Sequence, residues 1–497
     1  MMALAEPRGA VRMTLSELLD MPGCDGADTM ISGLQLDSRA INGGDLFVAL
    51  PGDAHDGREF IEQAVANGAA AVVAEPPVAG YVDELHVPVL EIPELRLEVG
   101  FIAARFYAQP SQGLHVVGVT GTNGKTTVSR LIGQLSRRLD KTCGVIGTLG
   151  ATLDDSISEA GNTTPDPIAL QRQLAQWRDA RVSRVAMEVS SHALVQGRVN
   201  AVAFETAVFT NLSHDHLDYH GTMEAYGRAK LQLFAVPGLR FAIVNVDDPF
   251  AQQVLAVLDA QVRVLTCSTA GAPADIRIDN ARFSDRGVHA DFFSEWGNAS
   301  FFSALPGDFN LANVAAAISV MLLAGEPLAR TLAAVADLHP VAGRMQSIPN
   351  ELGIQVIVDY AHTPDALEQV LAALAPQVDG ALCVVFGCGG DRDNSKRQVM
   401  GRVACAGADR VYVTSDNPRS ENPQHILGEI AAGCSGDYRL VENRADAINQ
   451  AIQCAMPGDC VLIAGKGHEC YQIVEAERVF FSDAQQAELA LARRAAS

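Results

Sequence analysis

Hydrophobic positions along this chain fall in short, β-branched runs, and most runs end in a loop rich in Gly, Asn, Asp, Ser or His. In the middle of the chain residues 115–120 lead into GTNGKTT, 184–189 into SSH, 206–210 into NLSHDHLD and 241–246 into Asp247 and Asp248. Past residue 350 the pattern returns, with 355–358 leading into DYAHTPD, 382–386 into GCGGDRD, 410–414 into SDNPR and 460–463 into AGKGHE. Continuous apolar runs suit a parallel sheet covered on both faces. Helical stretches at 128–139, 167–180, 311–323 and 365–374 lie between them, as βαβ units require. The expected fold class is therefore α/β, with two such series of strands and a boundary near 338–352. Residues up to about 112, with strand-like runs at 46–50 and 70–74, form a separate first piece that ends at Gln109-Pro110-Ser111. The division predicted is 1–112, 113–342 and 343–497. Ligands of open α/β sheets bind beyond the carboxyl ends of the strands, where these polar loops lie.

Composition narrows the choice of partners. A chain of 497 residues exceeds what one ordinary core serves. Its net charge of -22 argues against non-specific nucleic-acid binding, so an anionic ligand would depend on local Arg, Lys and backbone amides. Ten cysteines occur without a CxxC pair; even Cys383 and Cys388 read as small buried apolar residues in a reducing compartment. The first twenty residues carry Glu6, Arg8 and Arg12 and show no secretory signal. The longest apolar run, 314–325, is too short to span a bilayer. A soluble, cytoplasmic monomer is expected.

Chemistry enters at Gly121-Thr122-Asn123-Gly124-Lys125-Thr126-Thr127, between a strand and a helix. Glycines let the backbone wrap phosphate oxygens, and the loop and helix N–H groups point at the anion. Lys125 is placed to reach the terminal phosphates and the Thr126 hydroxyl to ligate Mg²⁺. Val119 stands where the general phosphate-loop pattern has glycine, so TGTNGKTT is a variant of it. A nucleoside triphosphate site is expected, which alone leaves kinases, transporters and motor ATPases open.

Glu188, at a strand end in MEVSSHAL, and His216, in NLSHDHLDYHG, are candidate metal ligands, and hard oxygen donors favour Mg²⁺. The cluster from His214 to His220 also reads as a zinc set, but no second group of ligands matches it, and His220 reads first as hydrogen-bonded structure. On its own, Lys230 in the helical run YGRAKLQLF reads as a solvated surface lysine.

Taken in order, TGTNGKTT, NTTPDP, EVSSHAL, TNLSHDHLDYHG, GRAKLQLF, GDFNLANV, GRMQ, VDYAHTPDAL, FGCGGDRDNSKR, DNPR and AGKGHE resemble the Mur ligases. The subgroup most similar adds the third residue of the peptidoglycan stem, and the match runs from about residue 30 to about 485. The resemblance implies a first domain for a UDP-sugar, a central phosphate-loop ATPase with a mostly parallel sheet, and a Rossmann-like C-terminal domain for the amino acid. It implies ATP as substrate, Mg²⁺, and a CO₂-derived carbamate on Lys230 able to hold a second Mg²⁺, with Thr126, Glu188 and His216 as the other metal-binding positions. Lys125, Lys230, His216 and Arg344 carry over as catalytic positions, and Asn310, Asn313, Arg344 and Asp359 as nucleotide contacts. Leu36, Ser38, Asn162, Thr163, Thr164, Ser190, Gln196 and Arg198 carry over to the UDP-sugar peptide. The loop with Asp53, Ala54 and His55 keeps that frame too, although Asp53 is an awkward neighbour for a diphosphate. The activity implied serves peptidoglycan synthesis, and through it cell-wall biogenesis, cell shape, division and the cell cycle.

Third residues in this family, chiefly meso-diaminopimelate or L-lysine, differ by one distal carboxylate, so the selecting group should be a cation. Arg419 in Asp416-Asn417-Pro418-Arg419 is the guanidinium to take it in a two-bond fork, as in the diaminopimelate-adding subgroup. Arg392 supplies a second cation, and Gly465 and Glu469 complete the set, Glu469 for the distal ammonium. As a bare surface salt bridge Arg419 would contribute only ~0–1 kcal/mol. The expected reaction activates the D-Glu γ-carboxylate of UDP-N-acetylmuramoyl-L-Ala-D-Glu as an acyl phosphate, which the diaminopimelate amine then attacks. Alternatives are a lysine-adding or other Mur-type ligase, a folylpolyglutamate synthetase, or, from another class, a phosphate-loop regulatory ATPase that binds a wall precursor.

Overall fold

A computed structural model of the protein describes residues 12–52, 55–79, 85–153, 156–158, 162–284 and 287–496. Asp53 and Ala54, assigned above to UDP-sugar binding, lie outside the described residues.

The first piece is built on four parallel strands in chain order: Gly33–Gln35, Asp45–Ala49, Ala71–Ala74 and Val89–Glu91. Successive side chains of a strand point to opposite faces. Leu46, Val48, Ala71 and Val73 therefore pack with Leu95 and Ile102 of the helix Leu95–Phe106. Phe47, Ala49, Val72 and Ala74 pack on the other face with Ile61 and Ala64.

The largest sheet has eleven strands among the described residues. Its centre is six parallel strands in the order Cys143–Gly147, Arg184–Glu188, His115–Thr120, Thr206–Phe209, Phe241–Asn245 and Arg263–Ser268. The winding reverses beside His115–Thr120, and the phosphate loop leaves that strand at the crevice such a reversal opens. Val117, Val119, Ala186 and Val208 face the helices Lys125–Arg138 and Phe309–Leu323, while Val116, Val185, Met187 and Ala207 face Trp177 and Leu174. Burial on both faces explains the unbroken apolar runs.

Three antiparallel strands, Ile276–Ser284, Gly287–Ser294 and Gly297–Ser303, extend one edge and were not foreseen. Their signal was alternation rather than a continuous run: Val288, Ala290 and Phe292 point inward between more exposed neighbours.

The last sheet has six strands in the order Gln346–Ser347, Gln355–Asp359, Cys460–Ala464, Leu382–Phe386, Arg410–Val413 and Tyr438–Leu440, parallel except for the first. Late insertion of Cys460–Ala464 beside Gln355–Asp359 puts DYAHTPD, AGKGHE, GCGGDRD and SDNPR side by side at one edge of the sheet. The strands of the two later series begin where the apolar runs predict, and those of the first piece within one residue. The helix Pro167–Asp179 also begins as expected, whereas the other three helices begin one to three residues early. The phosphate-loop helix starts at Lys125 because Gly124, at φ 85°, already turns the chain. All ten cysteines are free; Cys143, Cys267, Cys383, Cys388 and Cys460 are buried as expected, whereas Cys454 and Cys470 are exposed. Among the described residues no helix is long and apolar enough to cross a membrane.

Candidate active site

Gly121 and Gly124 adopt φ of 152° and 85°, the range that favours glycine. A Cβ on Gly121 would run into Thr210 Oγ1, and one on Gly124 would sit 2.5 Å from Asn313 Oδ1. The loop is braced from the neighbouring strand end: Thr210 Oγ1 donates to the Asn123 carbonyl at 2.6 Å and Thr122 N to the Asn211 carbonyl at 2.9 Å. Lys125 Nζ donates to the Gly121 and Thr122 carbonyls at 2.9 and 2.7 Å, so the backbone curls around the ammonium. Burial lowers the Lys125 pKa, opposed by the charges of Glu188 and Asp215.

Beside the loop, Glu188 is buried at the end of its strand and receives donors on both oxygens. Thr126 Oγ1 donates at 2.9 Å, Thr148 N at 2.8 Å and Thr148 Oγ1 at 3.1 Å. Lys230 is only 1% exposed, against its reading as a solvated surface lysine. The helix Met223–Leu231 points its amine inward, where Nζ donates to the Gly121 carbonyl at 2.7 Å and lies 4.2 Å from the Tyr226 ring centre. Burial, then the nearby Lys125 charge, hold its pKa well below the usual lysine range, which favours the uncharged amine. His216 is also kept neutral, its pKa pushed down to about 3 by burial despite Asp215 with Oδ2 3.3 Å away. Burial would raise the Asp215 carboxyl, yet His362 Nε2 at 3.6 Å and Lys396 Nζ at 3.5 Å hold it well below its ordinary value.

These groups line a cleft of about 630 Å³ that includes Lys125, Thr126, Thr163, Glu188, Ser190, His216, Lys230 and Arg344. A second cleft, about 600 Å³, adjoins it and shares Asn123, Gly124 and Arg344. Thr127, Asn310, Asn313 and Asp359 line this one, together with apolar Leu305, Phe309, Val341 and Val370. Arg344 stands at the junction, its Nη2 donating to Thr126 Oγ1 at 3.2 Å and its guanidinium 4.4 Å from the Tyr360 ring centre. Asp359 accepts from Met345 N at 2.7 Å and Ala361 N at 2.8 Å, and burial raises its pKa. A polar junction beside an apolar slot suits a nucleotide, phosphates at the loop and base in the slot.

The C-terminal candidates form a separate group behind Tyr360, whose ring centre is 5.3 Å from that of His468. Asp416 and Asn417 are buried, and Gly465 approaches so closely that a Cβ there would lie 2.9 Å from Asp416 Oδ2. Asn417 Nδ2 donates to Glu469 Oε2 at 3.0 Å. Pro418 leads into Arg419, whose Nη1 donates to the Gly390 carbonyl at 2.7 Å with the backbone at φ 52°. Arg392 is exposed, with Nη1 3.9 Å from Asp218 Oδ2.

Of the UDP-sugar peptide candidates, Thr164 Oγ1 donates to the Glu188 carbonyl at 2.9 Å, and Arg198 donates to Thr164 O at 3.0 Å and Gln196 Oε1 at 2.9 Å. Asn162 is exposed on the same segment. Leu36, Ser38 and His55 lie in the first piece and line neither cleft; Ser38 Oγ donates to Gln63 Oε1 at 2.8 Å. His220 bonds Ser191 Oγ at 2.9 Å. Tyr226, Thr148, Asp215, Tyr360 and His362 line the first cleft and were not singled out. Tyr226 was findable, since it lies four residues before Lys230 on one helix face, and Tyr360 and His362 belong to a strand-end motif already noted. Thr148 follows a buried strand, Cys143–Gly147, that went unmarked.

Three family models match this chain in order: the Mur ligase family catalytic domain over 30–107, the Mur ligase middle domain over 119–321 and the Mur ligase glutamate ligase domain over 343–467. A protein of Pseudomonas aeruginosa named UDP-N-acetylmuramoyl-L-alanyl-D-glutamate–2,6-diaminopimelate ligase is 46% identical over 94% of this chain and 96% of its own length. One of the same name from Geobacillus kaustophilus is 42% identical over 97% and 99%. A solved structure of an enzyme with that name superposes with a TM-score of 0.69 at 36% identity, covering 97% of this chain and 99% of that one. Mycobacterium tuberculosis folylpolyglutamate synthase complexed with ADP and AMPPCP shares the fold, with a TM-score of 0.63 at 19% identity over 80% of this chain and 94% of its own. Matches across all three sheets, and relatives this similar over nearly the whole length, mean that the chain belongs to the Mur ligase family.

Proposed function

We propose that this protein is the ATP-dependent ligase that adds meso-2,6-diaminopimelate to the D-Glu γ-carboxylate of UDP-N-acetylmuramoyl-L-Ala-D-Glu. The first sheet would hold the UDP-sugar, the phosphate-loop sheet ATP and the acyl acceptor, and the last sheet the amino acid. One observation carries this: Lys125, Glu188, His216, Lys230 and Arg344 meet in a cleft that Thr163 and Ser190 also line. A carboxylate entering past Thr163 and Ser190 arrives where the terminal phosphate of a bound nucleotide would lie.

Its oxygen attacks the γ-phosphorus, ADP leaves, and an acyl phosphate forms. Lys125 and Arg344 offset the charge that spreads over the transferring oxygens, from positions fixed by the Gly121 and Thr122 carbonyls and by Thr126. The amine of diaminopimelate then attacks the acyl carbon and inorganic phosphate departs, with no covalent enzyme intermediate.

The donor set fits Mg²⁺. Thr126 and Glu188 are hard oxygen donors and His216 is neutral. Lys230 is a buried amine whose lowered pKa favours the uncharged form; adding CO₂ with loss of one proton would make it a carbamate anion able to hold a second Mg²⁺. Bound there, Mg²⁺ would neutralise the phosphates during transfer.

Incubation with ATP, the UDP-muramoyl dipeptide and either diaminopimelate or L-lysine, followed by product mass, tests the assignment. Phosphate release should require all three substrates, and Lys125→Ala should abolish it by about 10³-fold or more while leaving the fold intact. Release that ignores the amine would identify a regulatory ATPase instead.

A further inference from the structure

Behind DNPR lies a buried cation that the assignments above leave out. Lys466 is 0% exposed, and each polar partner of its Nζ belongs to the proposed amino-acid site. It donates to Asn417 Oδ1 at 3.0 Å and Glu469 Oε2 at 2.9 Å, stands 3.9 Å from Asp416 Oδ1, and lies 5.5 Å from the Tyr471 ring centre. A buried ammonium is tolerated only when opposite charge and acceptors surround it. Asn417 Oδ1 is also fixed by Ile473 N at 3.0 Å, so Lys466, Asn417 and Glu469 form one closed network.

The charge balance around that network is informative. Asp416 and Glu469 bring two negative charges and Lys466 and Arg419 two positive ones, and the exposed Arg392 and Asp391 beside Arg419 add one of each sign. The neighbouring buried cations, Arg444 and Arg397, are matched in turn by Asp483 at 2.7 Å and by Glu421 and Glu429 at 2.8 and 2.6 Å. Arg478 stacks over the outer face of Tyr471, 3.6 Å from its centre. A locally neutral pocket suits a ligand end that is itself a zwitterion. An end bearing only an ammonium is better served by a pocket with net negative charge, since like and unlike charges are weakly screened where water is excluded.

We infer that Lys466 is a positioning residue that sets substrate selectivity: it fixes Asn417 and Glu469 and offsets one carboxylate, so that the site takes an amino acid with both an ammonium and a carboxylate at its far end. Arg419 attracts that carboxylate; Lys466 makes a lone distal ammonium unwelcome. This rests on the function proposed above, and it assigns part of the discrimination against L-lysine to Lys466, beyond Arg419 and Arg392.

The test compares kcat/KM for diaminopimelate and L-lysine in the full-length enzyme carrying Lys466→Gln, with Lys466→Arg as the charge-keeping variant. The Gln variant should lower the diaminopimelate-to-lysine ratio by about tenfold or more, with KM for ATP and for the UDP-muramoyl dipeptide within about twofold of the parent. The Arg variant should keep most of the ratio. Equal loss for both amino acids, or equal loss of the ratio in the two variants, would overturn the inference. Should Lys466→Gln fail to give a cooperative melt, Lys466→Met serves for the same ratio. A parent enzyme that makes no product with diaminopimelate would instead refute the proposed function, and would do so before any variant is measured.

Discussion

Arg419 reaches the site already oriented, with Nη1 tied to the Gly390 carbonyl and the backbone held at φ 52° between Asn417 and the strand Tyr471–Val474. A guanidinium fixed in this way loses little freedom when a carboxylate arrives. Arg419→Ala should therefore reduce kcat/KM for diaminopimelate by about 10²-fold, in line with losing a charge-assisted pair, while KM for ATP and the UDP-sugar peptide stays put. Steady-state kinetics with each substrate varied in turn decides it, and uniform loss would mean misfolding. Lys230 shows where single residues mislead. Nothing in YGRAKLQLF announces burial, because the groups that enclose its amine, the Gly121 carbonyl and the Tyr226 ring, come from the phosphate loop and from one turn back along the helix. Family resemblance lifted it to a candidate; its local pattern did not.

At the level of elements, the strand ends were legible because each apolar run stops where the backbone leaves the sheet and meets ligand or solvent. The meander from Ile276 to Ser303 was missed for the opposite reason: its strands are half exposed, so their apolar positions alternate and never form a run. Convergence of GCGGDRD, SDNPR and AGKGHE was also beyond the sequence alone, since it depends on Cys460–Ala464 inserting between the much earlier strands Gln355–Asp359 and Leu382–Phe386. The turn from strand to phosphate-loop helix permits a sharp test. Gly124→Ala meets both an unfavourable φ of 85° and Asn313 Oδ1 at 2.5 Å, so KM for ATP should rise by about tenfold or more. Gly238→Ala has a similar φ of 79° but nothing within 4 Å, so it should melt slightly earlier with KM unchanged. If both variants bind ATP alike, the close approach to Asn313 is irrelevant.

Across the whole molecule, the phosphate-loop sheet and the last sheet are pinned together by hydrogen-bonded and charged pairs in a short stretch of each. His214 Nε2 meets Asp393 Oδ2 at 2.8 Å, Asp215 meets Lys396 at 3.5 Å, and Asp218 meets Arg392 at 3.9 Å. Asp215 and Lys396 are buried, so salt screens them far less than the exposed Arg392. Lys396→Ala leaves Asp215 without that counter-ion and should let the two sheets part. Small-angle scattering of the nucleotide-free variant should then give a larger radius of gyration than the parent, with ADP restoring the smaller value. Identical scattering for both proteins would show that these pairs do not hold the sheets.

The slot assigned to the base has a similar double parentage, with Asn310 and Asn313 from one side and Arg344, Asp359 and Val370 from the other. Neither sheet owns it, and Asn123 donating to Asp365 Oδ2 at 3.1 Å sits across the seam. A spent nucleotide lodged there would act as mortar between two bricks. Turnover would then end not with bond making but with prying the halves apart, and the slow step should track how tightly ADP cements them.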